Sequence, residues 1–143
     1  EYDAFMTTAE AELTTMHNMI NQLYAVQENL TKVLKNVTEA AVKKEGDKLL
    51  ADLKAWDNDM VQRKSQAYDD VENFPNKFSA EYIFMINQTN SSIPRLNKSS
   101  IDRKAELDIQ WSGLKSKGNR FINSAIPAYN KTLWEAGIGA IRL

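Results

Sequence analysis

The sequence predicts an all-α protein, an elongated antiparallel bundle of about four helices led by one very long N-terminal helix. Three observations predict it. The first forty residues place apolar side chains at alternating steps of three and four, the spacing that keeps one seam of a helix against a partner. Only 5 Gly and 3 Pro stand among 143 residues, too little punctuation for a sandwich or barrel with a turn about every 8–12 residues. Apolar residues make up 43% and charged residues 26%, the balance of a chain that buries a core rather than staying disordered. A domain typically runs to about 100–150 residues, so one domain over 1–143 is expected.

The seam of the first helix is Tyr2, Met6, Ala9, Leu13, Met16, Ile20, Leu23, Gln27, Leu30, Leu34, Val37 and Ala41. No Gly or Pro interrupts it. This predicts a coiled-coil-like helix over about 2–41, roughly 60 Å long at about 1.5 Å per residue. The remaining segments, or another copy, must then run back along it. Val42, Leu49, Leu53, Trp56, Met60, Ala67 and Val71 continue a helical stripe and predict a second helix over about 43–71. Gly46 marks either the turn before it or a weak first turn. Asn73-Phe74-Pro75-Asn76 ends this helix, because Pro75 disfavours helical backbone at Phe74 and has no amide hydrogen.

A third, short helix follows over about 76–90, with Phe78, Tyr82, Met85 and Ile86 inward. Thr89-Asn90-Ser91-Ser92 closes it, and Pro94 with the 97–100 cluster reads as a loop. Ser99 or Ser100 can cap a fourth helix over about 99–124, whose acids Asp102 and Glu106 suit its N-terminal turns. Its apolar face is Ile101, Ala105, Leu107, Trp111, Leu114, Phe121 and Ile122. Gly113 and Gly118 lie inside it at about 1 kcal/mol each relative to Ala, so a neighbour packs close there or the helix is imperfect. Pro127 should kink or restart the helix. A last stretch over about 128–136 is closed by Gly137, leaving 138–143 as an apolar tail.

Formal net charge is −1, which is no footprint for nucleic acid or anionic lipid. The ends differ in sign. Residues 1–31 hold five acids (Glu1, Asp3, Glu10, Glu12, Glu28) and no Lys or Arg, whereas residues 93–143 hold nine bases against four acids. If the first and last helices lie side by side, this is internal complementarity that fades with salt. The longest apolar run, Tyr82 to Ile86, falls far short of the ~20 residues of a membrane span. The chain starts at Glu1 without a leader, so a fragment is expected, with any signal peptide or preceding domain removed.

Zero Cys and one His take away disulfides, thiolate sites and most imidazole chemistry. His17 has no Glu three residues before it, so the Glu-x-x-His element of carboxylate-bridged metal bundles is missing, and a surface or boundary position beside the seam is expected. Asp57 with Asp59, and Asp69 with Asp70, are too close in sequence to share a helical face. No phosphate loop, Ser elbow or zinc-protease string occurs. No cofactor and no catalytic residue is assigned. Trp56 and Trp111 fall on core stripes and read as packing, and the sequence leaves the role of Trp134 open. Six Asn-x-Ser/Thr triplets occur, at Asn29, Asn36, Asn87, Asn90, Asn97 and Asn130. They read either as glycan acceptors of a secreted protein or as an Asn-rich surface. Asn29 and Asn36 adjoin seam positions, where a glycan would crowd a partner helix.

Residues 68–82 with Asn73-Phe74-Pro75-Asn76, then Ile93-Pro94-Arg95-Leu96, Asp102 to Leu107, Gln110-Trp111, Ile126 to Asn130, and Leu133 to Ala140 together resemble a known region. It is the C-terminal helical region of large secreted Bacteroidetes proteins of glycosyl-hydrolase-like or sortilin-like type, whose tail follows a β-propeller of Asp-box (BNR) repeats. The likeness covers about half of the chain, mostly residues 56–141. It implies a non-catalytic C-terminal module of an extracytoplasmic polypeptide, with any carbohydrate or peptide chemistry in the propeller. The matched residues are turn prolines, aromatics and helix-face positions, so no catalytic residue transfers.

The expected work is to pack on the propeller, to space it, or to pair two copies. Trp134, Ile138 and Ile141 are the candidate contacts, because an apolar tail after the last helix needs cover. Two readings of other classes remain. An extracytoplasmic small-ligand sensor requires a pocket with convergent polar groups between helices, and a metal-dependent bundle enzyme requires a stoichiometric ion.

Overall fold

The computed structural model describes residues 2–61, 77–90 and 98–141, and the statements that follow concern these. Five α-helices occur among them: α1 (Tyr2–Leu34), α2 (Ala40–Met60), α3 (Phe78–Asn90), α4 (Lys98–Arg120) and α5 (Ile126–Glu135). A π-helical segment, Phe121–Ala125, joins α4 to α5. No strand occurs among the described residues. The protein is an all-α helical bundle. The predicted stop at Pro75, the Pro94 loop, and the helix-two positions Ala67 and Val71 lie outside the described residues.

Helix α1 runs unbroken through Gln27 but ends at Leu34, seven residues before the predicted end at 41. Its last amides turn to the third residue back instead of the fourth, Lys35 to the Lys32 carbonyl, Asn36 to Val33 and Val37 to Leu34, which tightens the coil until it stops. Val33, Val37 and Thr38 are β-branched and Asn36 is a turn former, so propensity falls here without a Gly or Pro to mark it. Val37 stays buried, which is why the seam reads through the break. Helix α2 then starts at Ala40, with the Glu39 carbonyl accepting from the Lys43 amide at 3.0 Å.

The contacts group the chain into two compact units, Glu1–Asn18 with Asn58–Leu114 (unit 1) and Met19–Asp57 with Lys115–Leu143 (unit 2). In unit 1 the core is Met6, Ala9, Met16, Met60, Phe78, Tyr82, Met85, Ile86, Leu107 and Trp111. The Ser79 hydroxyl donates to the Met60 carbonyl at 2.7 Å, satisfying a carbonyl that the end of α2 leaves free. In unit 2 the core includes Leu23, Val26, Leu30, Leu53, Trp56, Ile126, Tyr129 and Leu133. Burial of each such aliphatic side chain stabilises by about 1.5–3 kcal/mol.

Gly46 lies inside α2 and not in a turn, which decides the alternative left by the sequence. A Cβ at Gly46 would collide with the Tyr129 hydroxyl and the Leu34 side chain. Gly118 is crowded in the same way by Met19 and Trp56, whereas Gly113 has open space around it. Close packing explains Gly118 and leaves Gly113 without a neighbour that requires it. Pro127 does not restart the helix. The coil widens ahead of it, with the Ile126 amide reaching back five residues to the Phe121 carbonyl. The wider turn makes room for the proline ring, which clashes with a carbonyl four residues back in a regular α-helix. Gly137, at φ 79°, ends α5 in a Schellman motif: the Ile138 amide reaches the Leu133 carbonyl at 2.8 Å and the Gly137 amide reaches Trp134 at 3.0 Å.

Candidate functional site

Three places hold polar or apolar chemistry. The first is the interior of unit 1, where α3 presents Phe78 and Tyr82 one turn apart and α4 presents Lys104, Asp108 and Trp111. The Tyr82 hydroxyl donates to Asp108 Oδ1 at 2.9 Å, and Lys104 Nζ donates to Asp108 Oδ2 at 2.6 Å. The same ammonium lies 5.7 Å from the centroid of the Phe5 ring. Trp111 stacks on Phe78 with centroids 6.3 Å apart and donates from Nε1 to Glu12 Oε2 at 2.7 Å. Burial first, then the hydrogen bond to Asp108 and the charges of Asp108 and Glu12, push the Tyr82 phenol well above its ordinary value. It remains a donor over the whole physiological range. These groups satisfy one another and clasp their helices together.

The second place is a shallow groove of about 260 Å³ in unit 2, lined by Glu39, Ala41, Val42, Glu45, Thr132, Glu135 and Ala136. The Thr132 hydroxyl lies 3.3 Å from Glu45 Oε1 and 3.3 Å from the Ala128 carbonyl. Beneath it the Tyr129 hydroxyl donates to the Val42 carbonyl at 2.9 Å. Burial, reinforced by Glu45 and Asp47, raises the Tyr129 phenol as well. Among the described residues, no group of three or more His, Cys, Asp or Glu is placed to hold a metal ion.

The third place is the end of α5. Trp134 is 78% exposed, whereas Ile141 is only 2% exposed. Asn130 holds Ile141 by its backbone: the Ile141 amide donates to Asn130 Oδ1 at 2.7 Å, and Asn130 Nδ2 donates to the Ile141 carbonyl at 3.0 Å. Ile138 is half-buried. The tail is therefore tucked against its own chain at Ile141, which corrects the candidate contact set to Trp134 with part of Ile138. The same pair of hydrogen bonds occupies the amide of the Asn130 triplet. Asn36 and Asn87 stand exposed and Asn29 half-buried.

Trp56 and Trp111 are buried, as their positions on core stripes predict. His17 is exposed on α1. Asp57 is buried and Asp59 exposed, so the two do not converge. Ion pairs among the described residues join Lys43–Asp47, Lys48–Asp52, Lys98–Asp102, Arg103–Glu106, Lys104–Asp108 and Arg103–Glu81. None of these pairs involves α1. The sequence missed the Glu12–Trp111 and Tyr129–Val42 bonds. Glu12 beside seam residue Leu13, in a stretch with no base, was the available signal for the first.

No known protein family, curated protein or solved structure matches the chain. Among the described residues, no helix is long and apolar enough to cross a membrane.

Proposed function

We propose that this chain is a non-catalytic accessory module that packs on, spaces or pairs the β-propeller of a secreted, glycosyl-hydrolase-like bacterial polypeptide. The observation that carries this reading is how the interior polar groups are spent. Tyr82, Asp108 and Lys104 engage one another, Trp111 engages Glu12, and Tyr129 engages a backbone carbonyl, so each already has a partner within the chain. Large apolar side chains left in water include Phe84, Ile101, Ile109 and Trp134, and of these Trp134, at the end of α5, is the residue type that most often anchors protein interfaces. An extracytoplasmic location follows from the resemblance of residues 56–141 to the tail of such polypeptides. The groove at Glu45 and Thr132 speaks for the alternative, a small-ligand sensor, but it is shallow and below the usual volume of about 300–1,000 Å³ for ligand pockets.

The test is binding of this chain to the propeller segment of its own polypeptide, followed by calorimetry. Saturable binding weakened at least about tenfold by Trp134→Ala supports the reading. Absence of binding by a folded chain overturns it.

A further inference from the structure

Charge divides between the two compact units. Unit 1 contains 12 acidic residues against 7 Lys and Arg, and unit 2 contains 7 acidic residues against 11. Opposite net charges of this size on one chain neutralise each other only where the groups meet. Of the described bases in unit 1, Lys77, Lys98, Arg103 and Lys104, the last three are already in ion pairs with Asp102, Glu106, Glu81 and Asp108. Asp3 and Glu10 on α1 are exposed and enter no ion pair among the described residues. In unit 2 the last turn of α4 presents Lys117 and Arg120, both exposed and likewise in no ion pair. Among the described residues, Asp3 and Glu10 thus form an acidic face and Lys117 and Arg120 a basic one that enter no ion pair, and the two are opposite in sign.

We propose that a second copy of this chain docks on it, the acidic face of α1 at Asp3 and Glu10 in one copy meeting the basic end of α4 at Lys117 and Arg120 in the other. A second copy suits either face, because each chain brings the acid that the other's base lacks. Each exposed ion pair adds about 0.2–1 kcal/mol at most, so charge supplies orientation and encounter rate more than affinity. Phe84 and Ile109 in unit 1 and Trp134 in unit 2 are exposed as well. The association is therefore weak and sensitive to salt. The proposal rests on the reading of this chain as a packing and pairing module.

The experiment is light-scattering mass of the full chain at about 0.01 M and about 1 M salt, where the screening length falls from about 30 Å to about 3 Å. The expected result is a mass rising toward twice 16.3 kDa at low salt and returning to the monomer at high salt. Asp3→Lys with Glu10→Lys, and separately Lys117→Glu with Arg120→Glu, should each abolish the rise while the circular dichroism stays helical. An equimolar mixture of the two variants should restore it, since each reversed face then meets its complement. A monomer at both salts, an oligomer indifferent to salt or strengthened by it, or no restoration in the mixture overturns the proposal. So does a monomer retained on heparin, which would assign the basic face to an anionic partner. A chain that stays monomeric yet binds the propeller overturns the pairing and leaves the accessory reading standing.

Discussion

Tyr129 reaches across the space where Gly46 has no side chain, and with Thr132 at Glu45 it links α5 to α2. The hydroxyl donates to a carbonyl one turn earlier, at Val42, and a Cβ at position 46 would occupy its path. Gly46→Ala is therefore expected to destabilise by about 1–3 kcal/mol through overpacking, although Ala is the better helix former. Gly113→Ala meets nothing and should stabilise by up to about 1 kcal/mol. Opposite shifts of the two urea midpoints check the pair. The raised Tyr82 and Tyr129 phenols make a second prediction. Each is held neutral in the folded chain, so the stability it contributes is complete below the unfolded phenol value of about 10 and is lost as pH climbs toward the folded value. The melting temperature should fall above about pH 10, and less steeply in Tyr82→Phe.

At the scale of elements, Gln27 and Pro127 are the two residues that look wrong for their helices. Gln27 occupies the seam of α1, and its Oε1 is buried without a hydrogen-bond partner. An unsatisfied buried acceptor costs about 1–3 kcal/mol, so Gln27→Leu should be neutral or stabilising, read as an unchanged or higher denaturant midpoint. By contrast Leu30→Ala, one turn on at a fully buried position, should cost about 2–5 kcal/mol. Pro127 ordinarily costs about 3 kcal/mol in a helix interior. Because the π-helical segment already accommodates the ring, Pro127→Ala should change stability by less than about 1 kcal/mol. A gain near the full interior cost would show that the widened turn relieves nothing.

For the whole molecule, α1 and the continuous run from α4 through α5 supply residues to both compact units. Helices propagate cooperatively, so unfolding of one unit removes turns that the other requires. Trp111 reports from unit 1 and Trp56 from unit 2. Variants retaining each indole alone should give coincident urea transitions, and separated midpoints would show that the units unfold independently. The salt dependence of association belongs to this scale too, since it depends on how charge is shared between units and not on any one ion pair.

By itself the sequence determined the fold class, the apolar seams of the helices, the burial of Trp56 and Trp111 and the glycine stop after α5. Each of these depends on side chains within one or two turns, so the three-and-four spacing and a single Gly137 are enough to specify them. Only the tertiary structure decided that the seam through Val37 hides a helix end, that Gly46 and Gly118 are crowded while Gly113 is not, and that Ile141 turns inward. Those outcomes depend on partners far away along the chain, such as Tyr129 for Gly46 and Glu12 for Trp111, 99 residues apart. No local period encodes which distant side chain fills a given space; that follows from how all the helices pack together.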